Sequence, residues 1–453
     1  MIAALTRRSG RLRRILLAGV LCLAAGAPLT AQAPARYLGV ATCAGSTCHG
    51  RAEGNGAVVR QDEIATWQEP SSPSGAHSRA LAVLDSLRGR QIAATLGLGE
   101  ASSAPACLGC HATFVAEAER GPRFQLSEGV GCESCHGAAS GWIATHYTTL
   151  GTHPANVAAG LTPLDQPQAR AGVCLDCHFG SAKGNQFVTH RMMAAGHPRI
   201  TFELDLFSAL QQHHDEDADY LQRKSRTDSV RLWAVGQAEA VRRQADLFTR
   251  PGFASEGIFP EFYFYDCHSC HRAITDGPER RLTFEVNPAR AIPFGQPPFN
   301  DENMIMLSAV SRVLAPGQAA NFDAAARAFH AAMGEDRARA VAAATRLESA
   351  AAALSSALSG GVGGDAFTVI AAIADRTTSP RFTDYAGSAQ AVMAVDTLLN
   401  ALVREGRVTV GAAAGIRADI NRAYEAVRSP ESYNPVRFRA ALGQAAGAIG
   451  TLR

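Results

Sequence analysis

The chain has 453 residues, enough for about three domains of average size, and its 47% hydrophobic content is that of an ordinary globular protein. With 42 Gly and 21 Pro it is neither collagen-like nor low-complexity. A formal net charge of +2, from 43 basic and 41 acidic residues, gives no nucleic-acid footprint and leaves the eleven cysteines as the unusual quantity.

In chain order, residues 1–33 read as a secretory signal peptide. Arg7, Arg8, Arg11, Arg13 and Arg14 form its positive region, and the apolar run from Ile15 to Gly26 is shorter than the roughly 20 residues a membrane-spanning helix needs. Leu21 is too bulky to precede a lipidated Cys22, and TRRSGRL lacks the apolar residues expected after a twin-arginine pair. An uncleaved N-terminal anchor is the alternative. Export to the periplasm is the expectation, with no membrane span in the mature protein, because no later run reaches about 18 apolar residues.

The other ten cysteines fall into five pairs, each followed at once by His. The first is Cys43/Cys48/His49, in the longer form CAGSTCH. Then come Cys107/Cys110/His111, Cys132/Cys135/His136, Cys174/Cys177/His178 and Cys267/Cys270/His271, all C-x-x-C-H. That pattern is the attachment signature of c-type haem: two thiols form thioethers to the porphyrin, and the adjacent His reaches the iron. A disulfide framework does not require a His after every second Cys, zinc ribbons need two pairs per metal, and thioredoxin-like motifs come singly. Five pairs that use the whole remaining cysteine inventory point to five haem c groups. The short gap between Cys107 and Cys132 makes the second and third haems the expected close-packed pair.

Axial ligation is a main lever on haem potential. Nine histidines lie outside the motifs, enough to fill every distal position. His77 precedes an apolar helical run. His146 follows Trp142 by four residues. His190 and His197 are seven apart, two helical turns, in THRMMAAGHPR, with Gly196 and Pro198 holding His197 at a helix end. The fifth candidate is His214, from the adjacent pair His213 and His214 beside an acidic stretch. His153 and His268 are weaker candidates, and His330, alone in an Ala-rich helix, reads as structural.

The segment from Ile292 to Asn303 is rich in Gly and Pro and reads as a linker. Beyond it, apolar residues recur at helical spacing: Val392, Val395, Leu398, Leu399 and Leu402 precede Gly406 as a stop, and Asn434-Pro435 starts a final helix. The expected fold is therefore mainly α. A haem-packed domain of short helices and loops covers residues 34–299, and an Ala-rich antiparallel bundle of about five helices covers 300–453. That bundle caps the haem domain, with a docking surface as the functional alternative.

The motifs CAGSTCHG, Trp67 with His77, GCESCHG with Trp142 and His146, ARAGVCLDCHFG, FVTHRMMAAGHPRITFEL and FYDCHSCHR resemble the multihaem cytochrome c family. Its type is the tetrahaem carrier that takes electrons from hydroxylamine oxidoreductase in ammonia oxidisers. The resemblance covers roughly residues 36–275, about half of the chain. It implies a periplasmic electron carrier with mostly bis-His haems stacked in pairs, and makes His146 and His197 distal ligands. A fifth motif and a long helical tail depart from the tetrahaem type, and members with one five-coordinate haem exist.

Two functions follow. One is a carrier between donor and acceptor redox proteins, without catalytic residues. The other is a nitrogen-oxide or hydroxylamine-type enzyme with one open iron, and the surplus of histidines favours the carrier. Removing residues 1–33 turns the net charge from +2 to −3. Each ferric haem with ionised propionates contributes roughly −1 more. An acidic carrier that meets basic patches on its partners is the expectation.

Overall fold

The computed structural model describes residues 34–54, 60–148, 151–216, 218–223, 226–253, 261–272, 290, 292, 296–361 and 364–453. The expected signal peptide lies outside them, as do residues 293–295 of the expected linker. From Arg36 onward the chain forms one compact unit. It is mainly helical, with no strands among the described residues.

The first half is made of short helices joined by turns: α1 (Val40–Cys43), α2 (Glu63–Gln68), α3 (Leu87–Leu96), α4 (Pro105–His111), α5 (Cys132–His136), α6 (Ile143–His146), α7 (Pro167–His178), α8 (His190–Ala194) and α9 (Leu204–Leu210). Three motifs are helical turns: α5 is one entire motif, and two others end α4 and α7. A C-x-x-C spacing places both cysteines on one helix face, because residues three apart are neighbours there. Pro105 and Pro167 occupy the first helical position of α4 and α7, where the missing N–H costs nothing. The apolar cluster special to this half is small: Leu84, Ala93, Ala101, Ala104, Cys107, Leu108 and Ala112.

The large core starts before residue 300. The 21-residue α10 (Ser229–Thr249) is capped by Asp228, whose side chain accepts the Arg231 N–H. It packs on α7 and α9 from the haem-motif half, and on bundle helices that follow. Only short helices are expected upstream of residue 300, yet α10 is one of the best-buried elements. Its apolar residues Val230, Leu232, Trp233, Val235, Val241, Leu247 and Phe248 cover more than one face because it is surrounded. Gly236 permits the closest approach: a Cβ there meets the Leu204 Cβ at 2.5 Å.

Among the described residues seven helices follow rather than about five: α11 (Glu302–Leu314), α12 (Pro316–Met333), α13 (Arg337–Ser359), α14 (Ala366–Thr377), α15 (Tyr385–Arg404), α16 (Val410–Ala426) and α17 (Pro435–Gly450). The extra breaks have local causes. Pro316 at a first helical position separates α11 from α12, and Asp336, Asp365 and Asp384 cap α13, α14 and α15. Gly406 is left-handed, with φ +71°, and Asn434-Pro435 opens α17. α15 is long and apolar enough by composition to cross a membrane, but Val392, Val395, Leu398, Leu399 and Leu402 are all fully buried in the bundle.

Glu203, fully buried at the start of α9, accepts the N–H groups of Asp205 and Leu206. Burial and the Asp205 carboxylate beside it raise its pKa to about 8. Between the unfolded value of 4.5 and that value the folded chain holds a proton that the unfolded chain has lost. Stability therefore falls as pH rises across this window, by up to about 1.4 kcal/mol per pH unit. Urea unfolding at pH 5 and pH 8 is expected to show that loss in the wild type and a smaller one in Glu203→Gln.

Candidate haem-iron centres

Each motif His faces one His from a distant part of the chain. Ring centroids are 6.2 Å apart for His49 and His146, 6.2 Å for His77 and His178, and 6.4 Å for His111 and His197. They are 6.3 Å apart for His136 and His213, and 6.2 Å for His190 and His271. An imidazole nitrogen binds a metal at about 2.0–2.1 Å and lies roughly 1.1 Å from its ring centre, so two rings sharing one metal stand about 6.3 Å apart. All five pairs have that spacing. The donors come as pairs: among the described residues no three His, Cys, Asp or Glu side chains converge as a metal cluster.

Hydrogen bonds fix the tautomers. The Nδ1 of His111 lies 2.8 Å from the Ala80 carbonyl, that of His197 2.7 Å from Pro198, and that of His213 2.8 Å from Gln211. A carbonyl only accepts, so these Nδ1 atoms carry the proton and Nε2 keeps its lone pair for a metal. The Nδ1 of His49 meets Glu63 at 3.0 Å, and that of His271 meets Glu431 at 3.4 Å. Burial favours neutral imidazoles, the ligating form. It lowers the pKa of His77, His146 and His197, and with the help of His77 it brings His178 down to about 4. His49 moves the other way because Glu63 stabilises its protonated form.

The thiols show how the motifs neighbour one another. Cys43 lies beside Cys132 and Cys110 beside Cys177, close enough to influence one another, and Cys135 is close enough to Cys174 to influence it. Among the described cysteines none forms a disulfide. The first motif thus meets the third, and the second meets the fourth through its second cysteine. The expected neighbours, the second and third motifs, are joined by another route, because Thr113 Oγ1 bonds Ser134 Oγ at 2.7 Å and accepts the Gly131 N–H at 2.9 Å.

The ten motif cysteines differ in exposure at Cys48 and Cys270. Both are exposed, whereas the other eight are buried or half-buried. The reason is local. The two extra residues of CAGSTCH carry Cys48 past the end of α1 at Cys43, into a turn closed by its own N–H on the Gly45 carbonyl at 2.8 Å. Cys270 follows the three-residue turn Cys267–Ser269 rather than sitting within an α-helix like the second cysteines of the middle three motifs.

Of the distal candidates, His77, His146, His190 and His197 each stand opposite a motif His. His213 stands opposite His136, whereas His214 stacks on Tyr220 at 5.3 Å. Two adjacent residues point in different directions, and the His213 bond to Gln211 chooses between them. His153 pairs with Asp165 at 3.1 Å, and His268 lies 2.6 Å from the Pro430 carbonyl. His330 is buried against Asp301 at 2.9 Å, as its structural reading requires. Trp142 contacts the edge of His146 at 5.2 Å.

Three polar anchors escape a reading by motif. Glu133, between the cysteines of the third motif, is 5% exposed and accepts the backbone N–H groups of Leu38, Gly39 and Ala139 at 2.6–2.8 Å. Glu261 accepts the His190 N–H at 2.6 Å and the Tyr263 N–H at 2.7 Å. Gln211 bonds His77 through its side chain and His213 through its carbonyl. An acidic residue inside C-x-x-C is the one visible signal, and its role depends on segments distant in sequence. Glu133→Ala leaves two buried donors and one half-buried donor unpaired, each costing about 1–3 kcal/mol. A loss of at least about 3 kcal/mol in chemical unfolding of the haem-loaded protein is expected.

Residues 42–137, which span the second cysteine-bearing turn and its two neighbours, match the cytochrome c554 and c-prime family. The chain matches no curated protein and no solved structure. Paired imidazoles at metal spacing, cysteine pairs beside them and this match together support a c-type cytochrome with covalently bound haem c, acting in electron transfer.

Proposed function

We propose that the chain is an exported, periplasmic cytochrome with five haem c groups, all six-coordinate, that carries electrons between redox partner proteins. The observation that carries this reading is the set of five His pairs at 6.2–6.4 Å, each containing one motif His. The motif residues His49, His111, His136, His178 and His271 are the proximal ligands. Opposite them, His146, His197, His213, His77 and His190 are the distal ones. The ten motif cysteines hold the porphyrins, with Cys48 and Cys270 doing so from the solvent side.

Haem c supplies a one-electron iron couple whose potential is set by ligands and surroundings. The chain does the rest. Two imidazoles on each iron would leave no position for a substrate, and contacts at Nδ1 orient His49, His111, His197, His213 and His271. Contacts between cysteines of different motifs keep neighbouring groups close. Partners present basic patches to a protein made acidic by haem propionates, so affinity weakens as salt rises.

A pyridine haemochrome assay is expected to count five haems per chain, and low-temperature EPR of the oxidised protein to show low-spin ferric signals alone. His213→Ala is expected to open one iron and add a high-spin signal, while His214→Ala adds none. Three haems or fewer would overturn the reading. A high-spin signal in the wild type that shifts with nitrite or hydroxylamine would turn it into an enzyme with an open iron.

A further inference from the structure

We propose that Glu63 is a positioning residue that lowers the potential of the iron between His49 and His146. This rests on the reading of those two histidines as axial ligands. Glu63 opens α2, and its Oε2 lies 3.0 Å from the His49 Nδ1, with 14% of the side chain exposed. One further bond holds the carboxylate, and a second ties the helix start to the His49 backbone. The Gln61 N–H donates to Oε1 at 3.3 Å, and the Ile64 N–H donates to the His49 carbonyl at 3.1 Å. The start of α2 is thus stitched to the His residue of the first motif through both backbone and side chain. The adjacent cation, Arg60, is engaged by Asp62 at 3.0 Å, so it leaves the Glu63 charge directed at His49.

The partners of the other axial rings differ. His111, His197 and His213 each donate Nδ1–H to a neutral carbonyl. His271 has a carboxylate partner, but at 3.4 Å, with 52% of the His and 61% of the Glu431 side chain exposed, so solvent screens it. Against these four rings, Glu63 is a largely enclosed carboxylate in close contact with an axial His. A carboxylate drawing on Nδ1–H raises the basicity of the ligating nitrogen. The stronger donor favours the ferric over the ferrous state, and so moves the potential down. The first motif, with its long C-x-x-x-x-C-H form, thus has its His drawn toward a negative charge at short range.

Spectroelectrochemical titration of the full haem-loaded chain tests this. In Glu63→Gln, which keeps size and an acceptor oxygen but loses the charge, one of the five transitions is expected to shift so that its oxidised-to-reduced ratio at fixed potential falls about tenfold, about 59 mV upward. The other four stay in place. Glu63→Asp keeps the charge on a shorter arm and is expected to shift the same transition by less. His146→Ala identifies the transition, because its iron alone gains a high-spin EPR signal. An unmoved midpoint in both Glu63 variants, or a shift in a different transition, overturns the role of Glu63, as does lost thermal stability with unchanged potentials. Fewer than five haems in the wild type, or no high-spin signal in His146→Ala, instead breaks the ligand reading beneath it.

Discussion

The spacing of two imidazoles about a metal is the constraint on which the haem-bearing half depends. It is narrow, within a few tenths of an ångström across five pairs, and each pair joins segments roughly 80–100 residues apart, a loop length whose closure entropy grows only slowly. The consequence is visible in the short helices. α5, α6 and α8 are one or two turns long and have few apolar neighbours of their own. Helices of that length are marginal in water, so their geometry comes from what they hold. The buried carboxylates Glu133 and Glu261 serve the same end: each gathers backbone N–H groups from separate segments at the point where a ligand must be aimed.

The helical bundle is an integral wall of the same unit. α10 lies between the motif helix α7 and the bundle helix α13, and one continuous apolar cluster runs from Ala171 to Ile449. Buried charges mark the seam. Arg199 reaches Glu302 at 3.0 Å, Arg404 reaches Asp205 at 2.6 Å, and Arg290 joins Asp301 to Asp384 at 2.7 and 2.9 Å. Such pairs contribute little net stability against an apolar replacement. They instead penalise every other docking of the two halves, because any slip leaves a buried charge unpaired. Asp266, next to the fifth motif, accepts the N–H groups of His268 and Ala386, so the last attachment site is anchored to the start of α15.

Much of this was legible in the residues, and the illegible part has physical causes. The motif cysteines and histidines announce themselves because local chemistry demands fixed spacing. Their exposure does not: Cys270 reads like the rest, and only the turn that carries it sets it apart. His77, His146, His190 and His197 could be named as candidate ligands from local cues, a neighbouring Trp or a Gly-x-Pro boundary. Which motif His each one faces could not, because pairing is set by tertiary threading. His213 and His214 show the limit most clearly: their local sequence is shared, and a carbonyl two residues upstream decides between them. α10 was hidden for a related reason. Its apolar positions follow no single stripe, since it is packed on several sides, and a search for one amphipathic face undervalues it. The bundle was legible in type but not in number, because Asp caps and Pro316 divide stretches that read as continuous.

The segment from His190 to His197 has a mechanical meaning. Eight residues carry the ring opposite His271 at one end and the ring opposite His111 at the other. α8 is held at its start by Glu261, and Arg88 grips the Gly196 carbonyl with two N–H groups at 2.6 and 2.9 Å. The segment is a short strut clamped at both ends. The one group outside the closely meshed first four motifs is tied to them through it. If both rings ligate iron as proposed, a rotation of one would be passed along this clamped segment toward the other.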